Sequence, residues 1–256
     1  MELFEDFSLQ TYMKPKSLVV LVLLSLVVAG TAFFLLQNHA ETETPPSAPV
    51  ARTLSGAEVS ALASKAQAGD AEAQTALGRI YLAGQSVKPD VKAAVKWFQS
   101  AAAQNEPEAL ATLGELTQAG QGVPKNIEEA ARLYRLAAEK GSVAGQYNLA
   151  FLYESGQGVP TDQIQAAKWY QLAAEGGDPI AQYDIGQRYE LGVGVASNRV
   201  QAYKWLSLAA AQGQPDSIKL LKKVKRDLSR EELTGASQLV NAFVPRQINN
   251  FEKINK

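Results

Sequence analysis

The residue types that carry most enzyme chemistry are scarce in this chain of 256 residues. It contains no cysteine, which excludes disulfides, thiolate metal sites and cysteine nucleophiles. The single histidine, His39, belongs to no cluster and directly follows an apolar segment of membrane-spanning length, so a Ser-His-Asp triad is excluded in practice. We therefore expect no catalytic residue, no metal and no cofactor.

Two further patterns could carry chemistry. The glycine-rich loops, such as Gly156 to Gly158, resemble phosphate-binding loops in composition, but none ends in Gly-Lys-Ser/Thr or follows a strand. We interpret them as hairpin turns. The carboxylate pair Glu128-Glu129 is better interpreted as a solvated face and a helix cap than as an acid/base couple.

Charge gives little indication of a partner. The chain has 25 basic and 26 acidic residues, which leaves no basic face for nucleic acid. One basic cluster could contact anionic lipid or an acidic partner, but a solvated surface is the favoured interpretation. Its members are Lys219, Lys222, Lys223, Lys225 and Arg226.

The elements that must position any site are repeats. The stretch from Lys140 to Glu175 recurs with a period of 36 residues, and a period between 20 and 50 predicts a solenoid of stacked units. Three columns show the period: Gly84, Gly120, Gly156 and Gly192; Ala94, Ala130, Ala166 and Ala202; and Trp97, Leu133, Trp169 and Trp205.

Each unit is predicted to hold two helices around a glycine loop. In the third unit, apolar residues follow helical spacing on both sides of the loop, and Gly156 stands where a left-handed residue ends the first helix. A short polar residue introduces each second helix, at Asp90, Asn126, Asp162 and Asn198. In three units Glu or Gln follows three residues later (Glu129, Gln165 and Gln201), which predicts a capping-box-like pair.

These motifs carry a family resemblance. The segment from Ala71 to Gly84, A-x-A-Q-x-x-L-G-x-x-Y-x-x-G, resembles the first helix of a Sel1-like repeat, and Gly156 to Ala174 resembles its loop and second helix. The resemblance covers four units over 69–212. It implies an all-α, right-handed α-solenoid of the tetratricopeptide superfamily and protein-protein adaptor work, often in bacterial envelopes and in quality control in the endoplasmic reticulum. Thr117 and Leu133 depart from the pattern, which predicts a looser second unit.

The repeats need closing elements with one polar face. Ser55 with Glu58 predicts a capping box that opens an N-terminal capping helix within 54–68. Residues 213–244 are predicted to form two C-terminal capping helices, the second opened by Ser229 with Glu232. Pro245 should stop that helix, and 245–256 reads as a polar, frayed tail.

The N-terminal part predicts a membrane anchor. Ser17 to Leu36 is free of charge and, at about 1.5 Å per residue, long enough to span a bilayer. Lys14 and Lys16 precede it, which leaves 1–16 in the cytoplasm and sends the repeats into the periplasm of a bacterial inner-membrane protein. Residues 37–53 form a Pro-rich linker. Cleavage of this segment as a signal peptide, with secretion to the periplasm, is the alternative.

The binding site expected from the resemblance is the concave side, which first helices line in the tetratricopeptide arrangement. Its predicted residues are Arg79, Glu115, Tyr147, Phe151, Glu154, Tyr183, Gln187 and Glu190. Such a groove would suit an extended peptide or a helix. Tyr147 and Tyr183 could equally be core residues, which makes Phe151 the more informative position.

Three functions remain open from the sequence. The first is a scaffold that binds another envelope protein and assembles, stabilises or localises a complex, with no nucleic acid and no small-molecule substrate. The second is a structural accessory subunit of a larger membrane complex. The third is a binder or hydrolase of cell-wall material. We disfavour it because the Sel1-like proteins linked to β-lactam binding look cysteine-rich, whereas this chain has no cysteine.

Overall fold

The computed structural model describes residues 54–84 and 86–246. The predicted transmembrane helix over 17–36, the linker over 37–53 and residues 247–256 of the predicted tail lie outside this range. Within it, no helix has both the length and the apolar character needed to cross a membrane.

The described residues form eleven α-helices and no strand. Their bounds are Gly56–Gln67 (α1), Ala71–Ala83 (α2), Val91–Ala102 (α3), Pro107–Ala119 (α4), Ile127–Glu139 (α5), Val143–Ser155 (α6), Gln163–Glu175 (α7), Pro179–Leu191 (α8), Arg199–Ala211 (α9), Pro215–Asp227 (α10) and Arg230–Asn241 (α11). Units 1 to 4 are the pairs α2–α3, α4–α5, α6–α7 and α8–α9. Each helix from α1 to α9 packs on the next, and α11 packs back on α9. The predicted all-helical repeat solenoid is confirmed.

Local chemistry fixes the ends of these helices. The first helix of every unit ends at a glycine with φ between 69° and 73°, the left-handed conformation that glycine adopts at little cost. Each second helix begins after an Asp or Asn whose side chain accepts a hydrogen bond from a first-turn amide, as at Asp162, which accepts from the amides of Ile164 and Gln165. Both predictions are confirmed.

The capping boxes differ from the prediction in part. Ser55 with Glu58 opens α1 with both reciprocal bonds, and Ser229 with Glu232 opens α11 in the same way. In units 2 to 4, however, only the N-cap side chain bonds the amide of Glu129, Gln165 or Gln201, and the predicted return bond is not formed. In unit 2 the Glu129 carboxylate instead accepts two bonds from Arg132, at 2.8 and 2.7 Å. The arginine one turn along the helix offers two charge-assisted bonds, and these are together stronger than the single backbone bond of a capping box.

Small residues let the two helices of a unit approach closely. A Cβ atom added at Gly114 would lie 2.7 Å from the Tyr134 ring, and one added at Gly186 would lie 2.8 Å from Leu206. Alanines at the equivalent positions Ala101, Ala137, Ala173 and Ala209 of the second helices are fully buried. The core is therefore a narrow layer of alanine and a few large side chains between helices.

The same polar bonds recur within the first and the last unit. In unit 1, Gln104 donates to Gly69 O at 3.0 Å and to Gln74 Oε1 at 2.9 Å. In unit 4, Gln212 makes the equivalent bonds to Gly177 O at 3.1 Å and to Gln182 Oε1 at 2.9 Å. Units 1 and 4 therefore share this contact, whereas units 2 and 3 carry Lys140 and Gly176 at the position of the glutamine.

The second unit accommodates its departures from the pattern. Thr117 is buried, and its hydroxyl donates to Leu113 O at 2.7 Å. Leu133 is also buried, in the place where other units carry tryptophan. The looser packing expected of this unit stays a prediction.

The beginning of the predicted tail is held against the repeats, which corrects the expectation that it frays from Pro245. The Phe243 ring packs edge-to-face on Trp205, with centroids 5.6 Å apart. The Arg246 amide donates to Glu175 O at 2.6 Å, and its guanidinium pairs with the Glu175 carboxylate. An aromatic contact and an ion pair thus fix 243–246 on α7 and α9.

Candidate protein-binding face

The predicted partner-binding residues follow the first helices of the four units, and we call this set the first-helix face. Several of them contact the next first helix along the stack. Arg79 pairs with Glu108, and Glu115 accepts from Asn148 Nδ2 at 3.1 Å. These bonds join α2 to α4 and α4 to α6, so Arg79 and Glu115 are already engaged within the chain.

A cluster of charged and aromatic residues lies where unit 3 meets unit 4. The Tyr170 hydroxyl donates to Glu154 Oε2 at 2.7 Å, and Arg188 Nη2 donates to Glu154 Oε1 at 2.5 Å. The rings of Tyr147 and Tyr170 meet edge-to-face at 5.5 Å, and the Arg188 guanidinium lies 5.0 Å from the centre of the Tyr170 ring. Together with Asp184, beside the Tyr147 hydroxyl, these residues form the unit 3–4 cluster.

Arg188 is the most unusual member of this cluster. The equivalent positions in the other units and in α10 hold apolar residues, Ile80, Leu116, Leu152 and Val224. Arg188 is only 4% exposed. A buried guanidinium is tolerated only when it is paired, and here Glu154 supplies the charge while Gln163 Oε1 accepts a second bond at 2.9 Å.

Asp184 is the acid whose protonation is most perturbed. Burial raises its pKa from 3.8 to about 7, and the negative charge of Glu154 adds to the effect. Arg188 and the Tyr147 hydroxyl oppose the rise, whereas Asp178 reinforces it. Burial also raises the pKa of Tyr147 and Tyr170, helped by the carboxylates around them. Asp184 is thus held close to its titration point near neutral pH.

Two large apolar side chains are exposed on the helices that carry this cluster, one on α6 and one on α8. Phe151 is 40% exposed and Ile180 is 43% exposed. The equivalents of Phe151 are Arg79, Glu115 and Gln187, so an apolar residue occurs at this position only in unit 3. By the 36-residue period, the bonded residues Glu115 and Asn148 correspond to Phe151 and Asp184. In the same way, the ion pair Arg79–Glu108 corresponds to Phe151 and Ile180.

The remaining predicted residues lie further along α8. Gln187 Nε2 is 3.4 Å from the Tyr183 hydroxyl, and both side chains are half-buried. The Glu190 side chain is only 5% exposed, with Lys223 at 3.4 Å and Arg199 at 3.8 Å. Glu190 was predicted to point into a groove, but the first capping helix α10 brings a lysine against it and covers it.

The structure therefore brings Tyr147, Phe151 and Glu154 together on α6 and leaves the predicted residues of units 1 and 2 in separate contacts. Sequence reasoning missed Asp184 and Arg188. The aligned column Ile80, Leu116, Leu152, Arg188 and Val224 contained the signal, since one charged residue stands among four apolar ones.

The chemistry that this arrangement supports is recognition. Over the described residues, no group of His, Asp or Glu side chains is placed to hold a metal ion. The cluster and the neighbouring Asp178 combine three carboxylates, Glu154, Asp178 and Asp184, with one guanidinium, and leave an excess of negative charge near exposed apolar side chains. Such a surface favours a ligand that carries both positive charge and apolar groups.

Comparison with known proteins agrees with the repeat assignment. The family model described as Sel1 repeat matches four consecutive segments, residues 71–106, 107–142, 143–178 and 179–214. These units begin two residues after the predicted start at 69. No curated protein matches the chain.

Two solved structures are similar to the chain over most of its length. One is a protective antigen of uropathogenic Escherichia coli that displays an SLR fold, with 36% identity and a TM-score of 0.62 over 71% of this chain. The chain spans only 39% of that antigen. The other is a Sel1 repeat protein from Oxalobacter formigenes, with 31% identity and a TM-score of 0.62 over 72% of this chain and 78% of the other.

Proposed function

Because the chain belongs to the Sel1 repeat family, we propose that it is a membrane-anchored scaffold that binds another protein and assembles, stabilises or localises a complex of the bacterial envelope. The matched repeats make up more than half of the chain. Stacked repeats build extended surfaces that suit protein binding, and Sel1 repeats generally mediate such interactions.

Anchorage and location are supported by the sequence. Ser17 to Leu36 provides an uncharged segment of membrane length, with Lys14 and Lys16 on its N-terminal side. In this arrangement residues 1–16 stay in the cytoplasm, the Pro-rich linker follows on the far side, and the repeats work in the periplasm. Signal cleavage would leave the same repeats in the periplasm without the anchor.

The observation that carries the binding proposal is the exposure of Phe151. A ring that is 40% exposed beside the exposed Ile180 is costly to leave in water, and three of the four units avoid it with polar residues. Aromatic residues are enriched among the side chains that dominate binding energy at protein interfaces. We therefore place the partner on the first-helix face around Phe151.

The proposal is tested by partner capture from native membranes. The full chain, tagged at its C-terminus, is crosslinked in cells, extracted with detergent and purified. We expect protein partners that Phe151→Glu loses, because the carboxylate places charge in the centre of the contact. Ile164→Glu is the matched control, since Ile164 is 69% exposed on the second helix of the same unit. Recovery of no partner, or equal loss with both variants, would contradict the proposal.

A further inference from the structure

The surface around Phe151 presents more than apolar area. Phe151 and Asp184 correspond by the 36-residue period to the bonded pair Glu115 and Asn148, so we infer that they are neighbours. Ile180 lies four residues before Asp184 and therefore on the same side of α8. Around Asp184 stand Tyr147 and Glu154 from α6, Tyr170 from α7, and Asp178 and Arg188 from α8 and its N-cap. The surface is thus an acidic group with apolar side chains on two sides.

The internal cation does not neutralise this surface. Arg188 is committed to Glu154 at 2.5 Å and to Gln163 at 2.9 Å. Asp178 is committed to the amide of Ala181 at 2.6 Å as the N-cap of α8. Asp184 forms no salt bridge of its own: it lies beside the neutral Tyr147 hydroxyl, and Arg188 acts on it only through its nearby charge. Asp184 is therefore the carboxylate of this group that is held neither by a salt bridge nor as a helix cap.

We propose that this surface binds a partner segment in which a lysine or arginine stands next to a bulky aliphatic residue. The aliphatic stem of the basic side chain would pack along Phe151 while its charged group reaches Asp184. The neighbouring aliphatic residue would cover Ile180. Charge complementarity and apolar burial thus define the same ligand.

This inference rests on the proposed function, since it names the chemistry of the partner for the first-helix face. It also predicts a pH dependence of binding. Because a cation binds the ionised form of Asp184, affinity should rise as this group loses its proton near neutral pH. An apolar ligand without positive charge would show no such rise.

The test uses two fluorescent heptapeptides and the purified full chain in detergent. One peptide is Gly-Ser-Leu-Lys-Leu-Ser-Gly, and the other carries glutamine in place of lysine. We expect the lysine peptide to bind about tenfold more tightly at pH 8, a typical effect of one charge-assisted contact. The preference should shrink severalfold at pH 5.5 and disappear in Asp184→Asn.

Glu72→Gln is the matched control, because Glu72 is an exposed acid on the first helix of unit 1. It should keep the full preference for lysine. Phe151→Ala should weaken both peptides. Equal binding of the two peptides, binding of neither, or a preference that survives Asp184→Asn would overturn the inference.

A variant that lacks residues 247–256 tests whether the chain itself occupies this surface. The chain's own last residues, 247–256, also combine Lys with Phe and Ile. If the lysine peptide binds only after these residues are removed, the occupant is this tail and the proposal of a separate partner is overturned. If the peptides fail but partner capture still depends on Phe151, the partner chemistry is wrong and the scaffold function stands.

Discussion

Arg188 on α8 donates to Glu154 on α6 at 2.5 Å and so joins unit 3 to unit 4 with an ion pair. One unit earlier, the equivalent residues are Leu152 and Gln118. There, Gln118 accepts only from the Tyr134 hydroxyl, at 2.8 Å. The contact between units 3 and 4 therefore contains an ion pair, whereas the equivalent contact between units 2 and 3 has an apolar residue in place of the arginine.

This comparison predicts a non-additive stability effect. Glu154→Gln keeps an acceptor for Tyr170 but removes the salt-bridge partner of the buried Arg188, so the free energy of unfolding should fall by about 2–4 kcal/mol. The double variant Glu154→Gln/Arg188→Leu copies the arrangement of Gln118 and Leu152 and should recover most of that loss. Urea unfolding followed by circular dichroism measures both. A double variant less stable than the single one would contradict this account.

Local chemistry was predictable from the sequence, and contacts between units were not. Gly156 and Asp162 were placed correctly because a left-handed helix end and an N-cap depend only on neighbouring residues. The pairing of Glu154 with Arg188 depends on how two helices stack across 34 residues. Glu190 was misplaced for the same reason, since its cover comes from a capping helix with no repeat signature.

Asp184 should make the stability of the fold depend on pH. The folded chain holds this proton more tightly than the unfolded chain, in which the pKa returns to about 4. The contribution of Asp184 to the free energy of unfolding therefore falls as pH rises from about 4 to about 7, by up to about 4 kcal/mol. Asp184→Asn should remove this pH-dependent contribution and make the chain more stable than wild type at pH 8.

The measurement is the difference in urea midpoint between wild type and Asp184→Asn at pH 4.5, 6 and 8. The other titrating groups are common to both chains, so the difference isolates Asp184. A difference that stays constant across this range would contradict the raised pKa.

Two glycines in helices should respond oppositely to the same substitution. Gly114→Ala places a methyl group 2.7 Å from the Tyr134 ring, which is held by its bond to Gln118, and should lower the unfolding free energy by about 1–3 kcal/mol. Gly235→Ala, in α11, meets no atom within 4 Å and should raise it by about 0.5–1 kcal/mol through helix propensity. Equal effects in thermal unfolding would contradict the close packing of α4 on α5.

The absence of cysteine makes the proposed topology directly testable. A single cysteine at Val244, which is 81% exposed, should react with a membrane-impermeant maleimide in cells whose outer membrane has been permeabilised. A single cysteine at Glu5 should react only after the inner membrane is broken. The reverse pattern would contradict a periplasmic repeat domain.

The central claim is that a partner protein sits on the first-helix face at Phe151. It is tested most directly by replacing Phe151 with the photo-crosslinking amino acid p-benzoylphenylalanine and irradiating living cells. The account predicts a specific crosslinked protein from position 151 and none from position 164, on the second helix of the same unit. A crosslink from position 164 alone, or none from either, would contradict it.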